Sequence, residues 1–140
     1  MKKIFLLFTA AALSAGMVFA QDINQATENY NNGAMELNMG NNDAAITYFQ
    51  TALEMAEALG EEGAEVAANC RNIIPAIYLS SAKEQIKAEN YDAAVEQLNK
   101  AIEAAGKYEN TDVADDANAL MPQVYLSKGN GFLQAKNFPE

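Results

Sequence analysis

The sequence has 140 residues, with 19 acidic and 9 basic side chains, no histidine and one cysteine, and its formal net charge is −10 at pH 7. Such an acidic chain is a poor partner for nucleic acid or for an anionic lipid surface. Without histidine the chain lacks the commonest general base and cannot bind a metal through imidazole. One cysteine cannot form an intramolecular disulfide or a thiolate cluster.

Residues 1–20 have the pattern of a secretory signal peptide. Two lysines precede an apolar run over residues 4–13, and small side chains then lead to Ala20. We expect cleavage between Ala20 and Gln21, which removes both lysines and leaves 120 residues with a formal charge of −12. No cysteine directly follows the cleavage site, and no later segment is long and apolar enough to span a bilayer. We therefore expect a periplasmic or secreted protein, in a bacterium with an outer membrane.

Apolar residues after the signal recur at steps of three and four, and the alternation typical of strands is missing. Glycines and polar residues between these runs predict helix ends and helix starts. We predict five helices joined by short turns, at about 24–39, 43–59, 63–88, 91–105 and 112–135. The predicted turn glycines are Gly40, Gly60, Gly63 and Gly106, and the predicted capping residues are Asn42, Asn90 and Thr111 or Asp112.

Prolines occupy equivalent places inside the third and fifth predicted helices, as Pro75 and Pro122. A proline within a helix removes one backbone N–H donor and crowds the preceding turn. We therefore expect a kink at each proline, or a break that divides the helix into two.

The chain repeats itself. Residues 77–80 (Ile-Tyr-Leu-Ser) recur as residues 124–127 (Val-Tyr-Leu-Ser) at an offset of 47, and residues 43–53 resemble residues 92–102 at an offset of 49. We divide the domain, residues 21–140, into units at about 24–59, 63–105 and 112–140. The last unit is incomplete, because residues 137–140 match the start of the second helix of the preceding unit. We favour a fragment of a longer array, with an unusual terminal cap as the alternative.

Small and aromatic residues in these units resemble the tetratricopeptide repeat, in which small side chains lie where two helices touch and an aromatic packs between them. The residues that carry the resemblance are Gly33, Gly40, Ala45, Phe49 and Ala52 in the first unit, Tyr78, Ala82, Tyr91, Ala94, Leu98 and Ala101 in the second, and Tyr125, Gly129 and Phe138 in the third. The resemblance covers nearly all of the chain that follows the signal.

The sequence departs from the family pattern at several positions. Asn29 replaces a large aromatic, with Tyr30 beside it as a substitute, and Glu89 and Lys136 replace the turn glycine that Gly40 provides. The familiar repeat has about 34 residues, whereas this unit has 47 to 49. The first helix of the unit must therefore be longer by about three turns, as in a long-helix, exported bacterial variant of the family.

The resemblance implies an all-α fold, a right-handed α-solenoid of antiparallel helix pairs with about five helices. It also implies a non-catalytic interaction scaffold or adaptor of the cell envelope, which binds a peptide or a partner helix in a groove lined by the first helix of each unit. The groove-facing places are Asn31, Ala34, Asn38, Leu79, Lys83, Ile86, Lys87, Leu126, Asn130 and Gln134. The polar members, which we expect to contact peptide backbone and acidic side chains, are Asn31, Asn38, Lys83, Lys87, Asn130 and Gln134.

The residues that could serve in catalysis or in metal binding are better explained by roles in folding and solubility. The densest carboxylates lie at predicted helix starts, where negative charge is favourable; they are Glu61, Glu62, Asp112, Asp115 and Asp116. The polar cluster around Asn41 and Asp43 lacks the spacing of a calcium loop. Cys70 lies on an apolar helix face and is expected in the core, and Tyr78 and Tyr125 are expected to pack between helices. We predict no enzymatic activity, no cofactor and no metal.

Two other functions remain open as alternatives. A glycan-binding or nutrient-binding module at the outer membrane would need exposed aromatics on one face, and Tyr48, Tyr108 and Phe138 are too scattered to indicate it. A carboxylate-dependent glycosidase would need two carboxylates about 5 to 9 Å apart in a cleft. Apolar surface on the fifth helix, which has no partner helix in the sequence, could also drive self-association by end-to-end stacking.

Overall fold

The computed structural model describes residues 23–135, in which the chain forms α-helices, one 3-10 helix and no strand. The signal peptide, its cleavage site and the residues from Lys136 onward, Phe138 among them, lie outside this range. Helix α1 spans residues 23–38, α2 Asn42–Ala58, α3 Ala64–Lys87, α4 Tyr91–Lys107 and α5 Thr111–Ala135, and the 3-10 helix Gly60–Gly63 precedes α3. Every predicted helix end lies within two residues of the observed one. The all-α prediction is confirmed.

The first helix of the second repeat is the longest feature of that repeat. Helix α3 has 24 residues, whereas α2 and α4 have 17 each. It runs without interruption through Pro75, and α5 runs without interruption through Pro122. The expectation of a break is therefore wrong at both prolines, because the loss of one backbone hydrogen bond is tolerated where the rest of a long helix is paired.

The turns that follow α1, α3 and α4 share one backbone conformation. In each of them one residue has a positive φ: 82° at Gly40, 59° at Glu89 and 58° at Glu109. The next backbone N–H then donates to a carbonyl five residues earlier, at 2.9 Å in all three turns. Glu89 thus replaces the turn glycine, as predicted. The prediction for Gly106 is wrong, since this glycine lies inside α4 and Glu109 adopts the left-handed conformation in its place.

The prediction for Asn42 as a helix cap is one residue too late, and Asn90 occupies the predicted N-cap position of α4 without a side-chain capping bond. Asn42 is the first residue of α2, and the amide of the preceding Asn41 donates to the Glu36 carboxylate at 2.8 Å. Asn90 does precede α4, but its amide donates to the side-chain oxygen of Gln85 at 3.0 Å. In both turns the asparagine is held by the preceding helix and makes no capping bond to the next one.

A side-chain cap is present at the start of α5. It lies one or two residues before the predicted capping residues. The side-chain oxygen of Asn110 accepts the backbone N–H of Val113 at 3.3 Å. Thr111, one of the two predicted caps, is the first residue of the helix itself, and Asp112 lies in its first turn.

The chain divides into two compact units at residues 70 and 71, within α3. In the first unit α1 and α2 form an antiparallel pair around Phe49, which is fully buried. The Tyr30 ring meets the Phe49 ring edge-on at 5.3 Å between centroids, and a methyl group built on Gly33 would lie 3.0 Å from the same ring. Tyr30 therefore takes the aromatic role that Asn29 leaves open, as the sequence predicts.

The core of the second unit joins the later part of α3 to α4 and α5. Small residues at the helix contacts, with 0% exposure at Ala82, Ala94 and Ala101, let the helices approach closely. The buried cluster consists of Leu79, Ala82, Ala94, Leu98, Ala101, Ala117 and Val124. Both α3 and α5 thus pack apolar residues against α4. This packing determines which sides of α3 and α5 are exposed.

Candidate functional site

All six polar residues predicted to contact a peptide are exposed and lie on α1, α3 or α5. The pairs are Asn31 and Asn38 on α1, Lys83 and Lys87 on α3, and Asn130 and Gln134 on α5. Members of a pair are four or seven positions apart, so each helix brings its own pair to one side. The α1 pair belongs to the first unit and the other two pairs belong to the second.

The two lysines of α3 differ in their surroundings. The ammonium group of Lys83 lies 3.7 Å from a carboxylate oxygen of Asp116 on α5, and both side chains are well exposed. Such an ion pair contributes at most about 1 kcal/mol to stability, so a competing carboxylate from a ligand could replace Asp116. Lys87 is the last residue of α3, where a positive charge also favours the carbonyl end of the helix.

Two apolar predictions for the groove and the helix contacts are wrong. Leu79, expected to face the groove, is only 6% exposed and belongs to the core of the second unit. Tyr125, expected to pack between helices, is 56% exposed. Its equivalent Tyr78 is half-buried against the core, as predicted. The two tyrosines differ because α3 is covered by the helix that follows it, and no described helix follows α5.

A cleft of about 610 Å³, which the sequence does not predict, lies between the start of α4 and the end of α5. Lys128 of α5 donates a hydrogen bond to the carboxylate of Asp92 at the start of α4 and forms an ion pair with it. The same ammonium group lies 6.0 Å from the centre of the Phe132 ring. One feature of the sequence points to this cleft: Lys128 is the single charged residue in residues 117–135. Because Asp92 neutralises this charge, the cleft presents a satisfied ion pair beside an aromatic ring.

The candidate catalytic groups lie in surroundings that do not favour catalysis. The carboxylates at the helix starts are all exposed, whereas a carboxyl that acts as a general acid needs an enclosed, water-poor site. Cys70 is fully buried, and this burial raises the pKa of its thiol to about 11. The thiol is therefore protonated at neutral pH and is no nucleophile. Its predicted place in the core is confirmed.

No helix within residues 23–135 combines the length and the apolar character needed to cross a membrane. Searches of curated proteins and of solved structures found no significant match to this chain. A model of the tetratricopeptide repeat matches residues 29–59 and residues 75–108. The first segment contains the later part of α1 with α2, and the second contains the later part of α3 with α4. The first eleven residues of α3, about three turns, precede the second match, as predicted for an extended helix. The chain therefore carries two tetratricopeptide repeats and belongs to the tetratricopeptide repeat family.

Proposed function

We propose that this chain is a non-catalytic scaffold of the cell envelope that binds an extended peptide or a helix of another protein. One observation carries the proposal: the chain is built from tetratricopeptide repeats, and repeats of this family generally mediate contacts between proteins. Exposed polar pairs on α3 and α5, which both belong to the second unit, supply hydrogen-bond donors and acceptors for such a ligand.

Charge defines the ligand more closely. The chain is strongly acidic, yet Lys83 and Lys87 place two positive charges one turn apart on the exposed side of α3. Lys83 has only the long 3.7 Å contact with Asp116, whereas Lys100 pairs with Glu96 at 2.8 Å within α4. A segment with a few acidic side chains would meet the lysines of α3, while Asn130 and Gln134 occupy the equivalent places on α5 and would bind its backbone.

Peptide binding tests this part of the proposal. A panel of acidic, neutral and basic peptides of equal length is titrated against the chain without residues 1–20. We expect acidic peptides to bind best. The double variant Lys83→Glu, Lys87→Glu should bind them about tenfold more weakly or worse. A tenfold loss corresponds to about 1.4 kcal/mol of binding free energy, which is modest for the reversal of two charges.

A matched control makes the same change of charge on the second helix of the repeat. The double variant Lys100→Glu, Lys107→Glu lowers the net charge equally but alters residues of α4. It should bind the acidic peptides nearly as well as the parent chain. Equal losses in both variants would show that the peptides respond to overall charge, and equal affinity for basic peptides would contradict the proposed ligand.

The envelope location rests on the pattern of residues 1–20 and has its own test. Cells that produce the full chain are fractionated, and the mass of the protein is measured in each fraction. We expect the periplasmic or secreted fraction to contain a chain that begins at Gln21. A cytoplasmic chain that retains Lys2 and Lys3 would contradict this location.

A further inference from the structure

One side of α5 is polar along most of the helix. At about 100° per residue, five polar residues from position 116 onward lie within about 40° of Asp116 around the helix axis. We call them the α5 stripe: Asp116, Gln123, Ser127, Asn130 and Gln134. Leu120, the other residue in this sector, is half-buried against the core. The buried residues Ala117 and Val124 lie about 80° to 100° away from Asp116, so the stripe runs beside the packed side of the helix.

An ion pair places the start of the α5 stripe beside α3. The ammonium group of Lys83 lies 3.7 Å from a carboxylate oxygen of Asp116, and Lys87 follows one turn later on α3. Asn130 and Gln134 come 14 and 18 positions after Asp116, which is about 21 and 27 Å along the helix axis. The lysines and these two amides therefore lie at opposite ends of one surface, and an extended ligand is needed to contact both.

Charge divides this surface into two parts. Lys83 and Lys87 are positive, whereas the α5 stripe after Asp116 has amide and hydroxyl groups alone. The one charged residue in this part of α5, Lys128, lies about 120° away from Asp116 around the axis and is paired with Asp92 of α4. A complementary ligand has carboxylates at one end and uncharged residues after them. Its backbone spans the stripe with about eight residues, at about 3.3 Å per residue.

Asp116 occupies the place on Lys83 that a ligand carboxylate would take. The side chains of Lys83 and Asp116 are 48% and 66% exposed, and water screens an ion pair at such a site, so its rupture costs little. While it stays in place, Asp116 neutralises one of the two lysines and repels an approaching carboxylate. The free chain thus carries its own competitor for the acidic ligand.

We propose that an extended acidic segment of a partner protein binds along the α5 stripe, with a carboxylate replacing Asp116 at Lys83 and uncharged residues running toward Gln134. This inference rests on the proposed peptide-binding function and adds the position, length and charge distribution of the ligand. Asp116 weakens binding of the segment, so removal of its carboxylate has the opposite effect to removal of the lysines.

Peptide titration tests the role of Asp116. Two blocked ten-residue peptides, each with two glutamates at one end or the other and uncharged residues elsewhere, are titrated against the chain without residues 1–20. We expect Asp116→Asn to bind the better of the two about three- to fivefold more tightly than the parent chain, the effect of one exposed ion pair. Asp115→Asn is the matched control. It removes the same charge from the same turn, about 100° away around the axis, and should bind like the parent.

The outcomes separate this inference from the function on which it rests. A parent chain that binds neither peptide would contradict the proposed function itself. If the parent binds and Asp116→Asn gives no gain, or if Asp115→Asn gives an equal gain, the proposed function stands and the role of Asp116 is overturned.

Photo-cross-linking tests the path of the ligand along α5. A photoreactive amino acid is placed at the uncharged end of the better peptide, or beside its glutamates, and mass spectrometry locates the adducts. We expect the uncharged end to join α5 within residues 127–135 and the acidic end to join α3 near Lys87. Adducts at the same place from both peptides, or adducts of the uncharged end outside α5, would overturn the proposed path.

Discussion

At the residue scale, glycines set how closely two segments of backbone approach each other. Gly63 ends the 3-10 helix between α2 and α3 and is buried. A methyl group added there would overlap the carbonyl group of Ala56 in α2. Because a backbone carbonyl cannot move aside as a flexible side chain does, glycine is required at this position for steric reasons, with no contribution from a positive φ.

The variant Gly63→Ala should therefore be less stable than the parent chain by about 1 to 3 kcal/mol, the usual cost of overpacking. Gly106→Ala is the matched control, since Gly106 is exposed inside α4 and has open space around it. That variant should gain about 0.5 to 1 kcal/mol, because alanine favours a helix interior. Urea unfolding followed by circular dichroism measures both. Equal effects of the two changes would show that the contact with Ala56 is not made.

The buried thiol of Cys70 makes stability depend on pH in the alkaline range. Its pKa is about 11 in the folded chain, compared with 9.0 for a solvated thiol. Below pH 9 the thiol is protonated in both states and contributes no pH dependence. Between pH 9 and 11 it ionises in the unfolded chain first, so this group lowers the free energy of unfolding as the pH rises, by at most about 1.4 kcal/mol per pH unit.

Comparison of the parent chain with Cys70→Ala isolates this contribution, because tyrosines and lysines titrate in both proteins. Below pH 9 the variant is less stable than the parent chain, owing to the lost side-chain volume. The difference in stability between the two proteins should be constant below pH 9 and should shrink between pH 9 and 11. A difference that stays constant up to pH 11 would contradict the burial of the thiol.

At the scale of the elements, small residues decide how the helices pair. Ala45 in α2 and Ala94 in α4 occupy equivalent positions of the two repeats, and both are fully buried. Leucine at either position would push the paired helices apart. We expect Ala45→Leu and Ala94→Leu each to cost about 1 to 3 kcal/mol, measured as a shift in the urea midpoint. Ala58→Leu, at an exposed position of α2, is the control and should have little effect.

The sequence predicts the helices well because their periodicity and punctuation are local. It predicts contacts between elements less well. The capping prediction for Asn42 is wrong because α2 begins at Asn42 itself, so Asn41 stands at the N-cap position, where its amide bonds to Glu36 of the preceding helix. The prediction that Leu79 faces the groove is wrong because its burial depends on how α4 packs against α3. The spacing of residues along one helix does not show this packing.

The candidate site shows the same limit. The six polar residues could be assigned to exposed positions, since each pair follows the period of its own helix. The ion pair between Asp92 and Lys128 joins residues 36 positions apart, and no pattern along the sequence links them. Only the packing of α5 on α4 brings these charges together and forms the cleft beside them.

At the scale of the whole molecule, the chain belongs to the tetratricopeptide repeat family. Its exposed polar residues are proposed to bind another protein in the cell envelope.

Site-specific photo-cross-linking in living cells of the source tests the central claim most directly. A photoreactive amino acid replaces Ser80, exposed on α3 one turn before Lys83, in one strain and Asn99, exposed on α4, in another. We predict a discrete adduct with one envelope protein from position 80, which mass spectrometry identifies as carrying an acidic segment, and no such adduct from position 99. The same adducts from both positions, or adducts with cytoplasmic proteins alone, would contradict a protein-binding scaffold of the envelope that acts through its first helices.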